Sequence, residues 1–389
     1  MRLKLNYKGP VLMDFTFMIG YLCVLIAFLF TCTTYPNNYD WINTLTRNLR
    51  IVGYCFLVIK LLSNFVLKRE HVALLAIAII TFFITVFVTD LIVLLTDILV
   101  ILASAGIEFR KVIKLDFICR LIFLVFVLVS FYMGIIPEAI DYRNWVEIRH
   151  SFGFAHPNRL ALHLLMMCLY SFYLSYGKRR SLSRLFFYVV TFYFTYAVTG
   201  GRTSCICILF IIFIDLILNS RFETVVTDFI VKRRKILSHF IIWGALASSF
   251  IAAILSAAGI IKYNGTTISS RAVLAGRALI SYGLSIFGRK IETIGTLEAQ
   301  RQGVVSNVVD NAFIYLLVNY GVIAFVIFII LIYASLKEIN RRANFPAFIC
   351  TCVIIISLIM EGQFVNIESN LFLLWSVYLF VPNKYGESS

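Results

Sequence analysis

Four polar segments in an otherwise apolar chain carry residue types that can do chemistry. The first, Arg149-His150-Ser151-Phe152-Gly153-Phe154-Ala155-His156-Pro157-Asn158-Arg159, sets two histidines and two arginines against the start of an apolar run. Pro157 suits the first turn of a helix, Asn158 can satisfy one of the orphan backbone donors there, and a helix N-terminus favours an anion. An ordinary capped entry to a helix would use the same residues. The second, Thr199-Gly200-Gly201-Arg202-Thr203-Ser204, is a tight turn between two apolar runs. Its glycines permit close backbone approach, but a turn has no need of the arginine, which is costly at a membrane boundary unless paired or solvated. The third comprises Ser269-Ser270-Arg271, Gly276-Arg277, Tyr282-Gly283 and Phe287-Gly288-Arg289-Lys290, and its alternation of apolar and polar residues predicts short amphipathic helices lying on a surface. The fourth, Asp310-Asn311, leads into an apolar run containing Asn319-Tyr320-Gly321. Guanidinium forks grip phosphate and a carboxylate or imidazole can take a proton, so the chemistry on offer is anion binding with acid–base work. HExxH, GxSxG and P-loop patterns are absent, so proteolysis, serine-hydrolase chemistry and ATP hydrolysis have no support.

The elements that must position these segments follow from composition. Of 389 residues, 61% are apolar, 15% aromatic and 14% charged, against roughly half apolar and a quarter charged in a soluble domain. That apolar content fills roughly twelve spans of about 20 residues, which excludes a soluble catalytic domain on a single anchor. The expected fold is an all-α polytopic membrane protein forming one domain over residues 1–389. The expected spans are 11–33, 51–67, 72–89, 91–108, 117–136, 159–177, 185–200, 203–219, 237–261, 312–334, 347–361 and 370–381, with one long loop, 262–310, carrying short amphipathic helices. The N-terminus has the pattern of a signal-anchor without a small-residue cleavage site and is expected to remain as the first span. The nine cysteines all fall in apolar runs and indicate neither a disulfide framework nor a zinc site.

A net charge of +15 would suggest nucleic acid in a soluble protein; here basic residues set orientation instead, and no nucleic-acid partner is expected. With the N-terminus inside, inner segments hold 21 basic residues, split 11 Arg to 10 Lys, and outer segments hold 12, so both termini are expected in the cytoplasm. The outer set is Arg47, Arg50, Arg143, Arg149, Arg159, Arg202, Arg271, Arg277, Arg289 and Arg301 against Lys262 and Lys290. Orientation does not distinguish the two residue types but bidentate recognition of an anion does, so an anionic ligand is expected outside; arginines in headgroup contact are the plainer alternative. All six prolines lie at span edges and no internal repeat is evident, which speaks against a transporter built on broken helices. Asp14, Asp90, Asp97, Asp215 and Glu361 lie in or near spans; for Asp14, Asp90 and Glu361, solvation at a span end is sufficient explanation.

In their order, these marks resemble the Wzy-type polysaccharide polymerases and the related O-antigen ligases. The resemblance runs from about residue 150 to 335. It rests on Gly153-Phe154 with His156-Pro157-Asn158, on Thr199-Gly200-Gly201-Arg202, on the Ser270-Arg271 to Phe287-Gly288 stretch, and on Asp310-Asn311 with nine residues before Gly321. The first and third marks look most like capsule and exopolysaccharide polymerases. The resemblance implies a metal-independent glycosyltransferase in the cytoplasmic membrane, facing outside and needing no cofactor. It would join undecaprenyl-pyrophosphate-linked repeat units, alongside a flippase and a chain-length regulator of the same pathway. On that footing Arg202 and Arg271 clamp the pyrophosphate and Asp310 is the base, while His156, Asn158, Arg159, Arg277, Arg289 and Asn311 bind substrate. The ligases carry His-Asn where this chain has Asp310-Asn311, so Glu147, Asp141 and Glu292 stand as substitute bases. Alternatives are a ligase moving finished glycan to another acceptor, and a lipid-linked oligosaccharide flippase or other transporter. Asp310 before a long helix also has a plain structural reading as its N-cap.

Overall fold

A computed structural model describes residues 10–64, 66–143, 147–178, 182–262, 267–295, 298–299, 302–304 and 306–382. The expected placement of the two termini falls largely outside these residues. Among the described residues the chain is helical almost throughout, and the one paired sheet is a hairpin of Asp141–Arg143 with Glu147–Arg149. Each of the twelve apolar runs contains a helix. Among the described residues, five helical stretches are long and apolar enough to cross a membrane: Leu12–Thr31, Arg69–Thr89, Leu182–Thr199, Glu223–Ala257 and Ala312–Arg341. Val93–Ala103, Phe345–Leu358 and Leu371–Phe380 are apolar but shorter. Phe87, Phe186 and Phe240 stand exposed on these helices; such a surface is suited to lipid rather than water, and marks a membrane protein.

Helices overrun the apolar runs furthest at three N-termini, starting at Asp40, Phe109 and Glu223. Hydropathy reports the medium a residue faces, whereas i to i−4 hydrogen bonding continues through polar residues as long as nothing breaks it. The long stretch 262–310 likewise contains a regular helix, Thr267–Tyr282.

The chain's contacts group into two units. The first comprises Met1–Val66, Leu102–Ile230 and Asn383–Ser389, and the second Leu67–Ile101 and Val231–Pro382. In the first unit, helix Pro10–Thr31 lies against Asp40–Asn64 and Phe109–Tyr132. The latter packs on Pro157–Ser175, which packs in turn on Arg202–Leu218. A buried ion pair sits among them. Arg120 Nε donates to Asp116 Oδ1 at 2.6 Å, one turn apart on helix Phe109–Tyr132. The other carboxylate oxygen accepts from Tyr21 OH at 2.5 Å and Tyr170 OH at 3.1 Å, one from each flanking helix. Three helices are thereby tied at one carboxylate. Lys60, also buried, donates to the Ala105 carbonyl at 3.3 Å.

In the second unit, helix Gly321–Arg341 packs on Val72–Thr89, on Phe345–Leu358 and on the 3-10 turns of Leu371–Ser376. Helix Thr267–Tyr282 turns small residues inward: Ala275 and Ala278 join Ala253, Val309, Ile314 and Val318 in one buried cluster. A Cβ on Gly276 would lie 2.8 Å from the Ala253 carbonyl oxygen, so the backbones meet with almost nothing between them. Asp97 is buried and accepts from Ile367 N at 2.9 Å.

The buried pair of the first unit gives a stability prediction. Arg120→Ala leaves Asp116 buried without its cation and should cost about 3–5 kcal/mol. The double variant Asp116→Asn, Arg120→Gln should recover most of that loss. Melting of the detergent-solubilised variants checks both; equal melting of wild type and Arg120→Ala would show that the pair carries no stability.

Candidate functional site

The first two sequence segments come together in the first unit through Arg149, an arginine of the first segment to which the sequence assigns no individual role. Its guanidinium is buried and engaged within the protein. Nη1 donates to Asp141 Oδ2 at 2.6 Å, Nε to the Thr199 carbonyl at 2.8 Å, and Nη2 to Asn158 Oδ1. One side chain thus joins the hairpin, the entry of helix Pro157–Ser175 and the Thr199-Gly200-Gly201-Arg202 turn. The loop behind it is held by Glu138, whose Oε1 accepts from Ser151 N at 3.0 Å and Phe152 N at 3.2 Å. Those bonds stabilise a left-handed Phe152 at φ 45°.

The entry to helix Pro157–Ser175 is capped differently from expectation. His156, not Asn158, is the cap: its Nδ1 accepts from Asn158 N at 3.0 Å. An accepting Nδ1 puts the ring proton of a neutral imidazole on Nε2, which lies 3.8 Å from Asp141 Oδ2. Arg159 Nη1 reaches Cys32 Sγ at 3.7 Å. Arg202 is exposed in the first turn of helix Arg202–Leu218, directly after Gly201. A Cβ on Gly201 would lie 2.5 Å from Ala161 Cβ, so only glycine lets this turn sit against helix Pro157–Ser175. Of the substitute bases in this unit, Asp141 is engaged by Arg149, and the Glu147 side chain lies outside the described residues.

The third and fourth segments come together in the second unit. Arg271, on helix Thr267–Tyr282, is gripped by two carboxylates. Nη2 donates to Glu361 Oε1 at 2.8 Å and Nε to Asp310 Oδ2 at 3.3 Å. Burial opposes its charge, but Glu361 and Asp310 together outweigh burial and hold its pKa above the ordinary arginine value. The two acids are not equivalent. The side chains of Arg271 and Glu361 are 9% and 11% exposed, that of Asp310 33%. Glu361 is the inner partner, and Asp310 presents its carboxylate to the surroundings. The triad carries a net charge of −1 with both acids ionised, a poor clamp for an anion.

Asp310 is not the helix cap. That role belongs to Asn311, whose Oδ1 accepts from Phe313 N and Ile314 N, both at 3.1 Å, while its Nδ2 donates to the Ile359 carbonyl at 2.9 Å. The same amide starts the helix and ties it to the turn that carries Glu361. Its side-chain oxygen and nitrogen are thus engaged within the protein. Past the cap the helix passes through a π turn, Leu316–Tyr320, to Gly321 at φ 88°. The Phe287-Gly288 mark docks there: Arg289 N donates to the Asn319 carbonyl at 3.1 Å and Val322 N to the Ser285 carbonyl at 2.9 Å. A Cβ on Gly288 would collide with the Asn319 carbonyl oxygen. Arg277 is exposed, about 120° around the helix from Arg271, and is not brought to the triad. Arg289 is half-buried, and Glu292 is exposed.

Among the described residues no cluster of His, Cys, Asp and Glu has the makings of a metal site. No protein-family model, curated protein or solved structure matches this chain.

Capping and acid–base roles separate by substitution. Asn311→Ala should lose roughly 0.5–2 kcal/mol as a cap, lowering the melting temperature, and Asp310→Asn should melt as wild type. The reverse ranking would return the cap to Asp310.

Proposed function

We propose that this chain is a polysaccharide polymerase of the cytoplasmic membrane, joining undecaprenyl-pyrophosphate-linked repeat units on the outer face. The observation that carries the reading is the Asp310–Arg271–Glu361 triad: a carboxylate relieved of capping by Asn311, oriented by a buried arginine, and a third exposed. In the proposed topology the chain crosses twelve times, both termini are cytoplasmic, and residues 262–310 lie outside.

The chemistry divides by cluster. Asp310 takes the proton of the acceptor sugar hydroxyl as its oxygen attacks the anomeric carbon of the donor. The bond from that carbon to the pyrophosphate oxygen breaks, and undecaprenyl pyrophosphate leaves with the electron pair. Charge accumulates on the leaving group, so cationic and N–H donors are needed there rather than strong acid catalysis. Arg202 supplies that kind of site, a guanidinium in the first turn of a 17-residue helix behind a glycine turn. Arg271, already committed to two carboxylates, positions the base, and Arg202 is the residue proposed for the pyrophosphate. Glu361 keeps Arg271 in place. Substrate-binding roles for His156, Asn158, Arg159, Arg277 and Arg289 remain part of the proposal, with Asn311 as support.

Membranes containing equal amounts of each variant, supplied with one defined lipid-linked repeat unit, test the reading by product length. Asp310→Asn should leave single repeat units, since an amide cannot accept the proton. Arg202→Lys keeps the charge but loses the fork and should also stop polymerisation. Glu361→Gln should shorten product without abolishing it. Long polymer from Asp310→Asn would overturn the base assignment; transfer of preformed polymer to a different acceptor would make the chain a ligase.

Sidedness has its own test. In a cysteine-free background on intact cells, Gly295→Cys should react with a membrane-impermeant thiol reagent and Ile230→Cys should not. The opposite labelling would place both clusters on the wrong side for this chemistry.

A further inference from the structure

One titratable pair of the first unit has no part in the chemistry above: Glu138 and His150. His150 Nδ1 lies 3.2 Å from each carboxylate oxygen of Glu138. A carboxylate only accepts, so Nδ1 carries the ring proton, and in the neutral imidazole Nε2 is left with a lone pair. Among the described residues Nε2 has no hydrogen-bond partner. The His150 side chain is 41% exposed and that of Glu138 15%. A half-buried acid thus fixes the tautomer of a more exposed imidazole and leaves its accepting nitrogen uncommitted.

The backbone is bent to keep this arrangement. The two N–H groups that Glu138 also binds belong to Ser151 and Phe152, and Phe152 is left-handed, which a bulky residue adopts only under constraint. Strain of that kind gathers at functional sites. The Phe152 ring lies 5.9 Å from the imidazole, and Phe131, Phe194 and Tyr132 surround it at 5.4, 5.8 and 6.3 Å. Aromatic rings at the end of a membrane helix serve as interface anchors, but an anchor has no use for an oriented lone pair. The place of the histidine says what could use it. His150 N donates to the Val198 carbonyl at 3.0 Å, four residues before Arg202, so the histidine is fastened to the turn that leads to Arg202. In a lipid-linked repeat unit, the group bonded directly to the pyrophosphate is a sugar. A sugar ring carries hydroxyl donors at its edge and C–H bonds on its faces. An accepting nitrogen beside the electron-rich face of a phenyl ring matches both.

We propose that His150 and Phe152 form the subsite for the sugar that the pyrophosphate carries. A ring hydroxyl donates to His150 Nε2, the Phe152 ring packs against a C–H face, and Glu138 is the positioning residue behind the imidazole. The choice of ligand rests on the polymerase reading; the subsite itself binds, and no bond is made or broken in it. It discriminates between sugars, whereas the arginines grip any pyrophosphate.

The test compares two probes on the full chain purified in detergent: undecaprenyl pyrophosphate bearing one defined repeat unit, and the same lipid without sugar. Native mass spectrometry gives an apparent Kd for each. Wild type should prefer the sugar-bearing lipid. His150→Phe keeps a ring against Phe152 but loses the acceptor, and should weaken binding of the sugar-bearing lipid by at least about tenfold. Binding of the sugar-free lipid should not change, which also shows that the variant is folded; His150→Leu repeats the measurement should His150→Phe fail to fold. Glu138→Ala, which frees the imidazole to turn, should cause the same selective loss. Equal weakening of both probes, no weakening of either, or a wild type that holds the two alike would overturn the proposal. Product length measured on the same preparations separates the two ideas. Selective binding through His150 without polymer would sink the polymerase reading and leave the subsite, whereas polymer with binding indifferent to His150 would sink the subsite alone.

Discussion

A charge removed from water must be met by an opposite charge or by enough hydrogen bonds to replace its hydration. In a chain with 14% charged residues, that requirement decides which segments end up together. Apolar helices sliding on one another have little to fix their register, because one methyl packs about as well as the next. Ion pairs do fix it. Asp116 draws Tyr21 and Tyr170 to helix Phe109–Tyr132, Asp215 holds Arg184 on the preceding helix, and Arg149 fastens a hairpin to two helix entries. Arg271 and Glu361, 90 residues apart, close the second unit in the same way. Each pair is specific because each alternative leaves an ion stranded.

The helices were legible in the sequence for the same reason that their ends were not. Apolar runs announce what can face lipid, and every run contains a helix. Nothing in hydropathy announces that helix Glu223–Ala257 starts well before its apolar part. The polar segments were also recognisable as segments: the Thr199-Gly200-Gly201-Arg202 turn does meet the Arg149–Arg159 stretch, and Phe287-Gly288 does meet Gly321. The individual roles were harder. Asp310 and Asn311 are adjacent and cap helices almost equally well, so only the observed hydrogen bonds separate the cap from the exposed carboxylate. The role of Glu361 is not legible in the sequence, because it depends on a partner 90 residues away, and solvation alone is enough to explain an acid at a span end. Lys60 and Arg120 fell inside apolar runs and outside the count of loop charges, yet both are buried and engaged.

The two units share a local device. A π turn, Thr195–Thr199, precedes Gly200 at φ 58°, and another, Leu316–Tyr320, precedes Gly321 at φ 88°. In both cases a polar segment docks on the π turn. Arg149 Nε reaches the Thr199 carbonyl in the first unit, and Arg289 N reaches the Asn319 carbonyl in the second. A π turn is suited to this because its wider winding disturbs the i to i−4 ladder and leaves a carbonyl to be taken by something else.

The nine residues between Asn311 and Gly321 are therefore a phase and not a tether. A π turn uses one residue more than an α turn would, which rotates everything beyond it by about 100° relative to an uninterrupted helix. Substituting one apolar residue for another inside the spacer leaves that angle alone, whereas inserting or deleting a single residue turns Gly321 away from Gly288. The length of this segment is thus under a tighter geometric constraint than its composition.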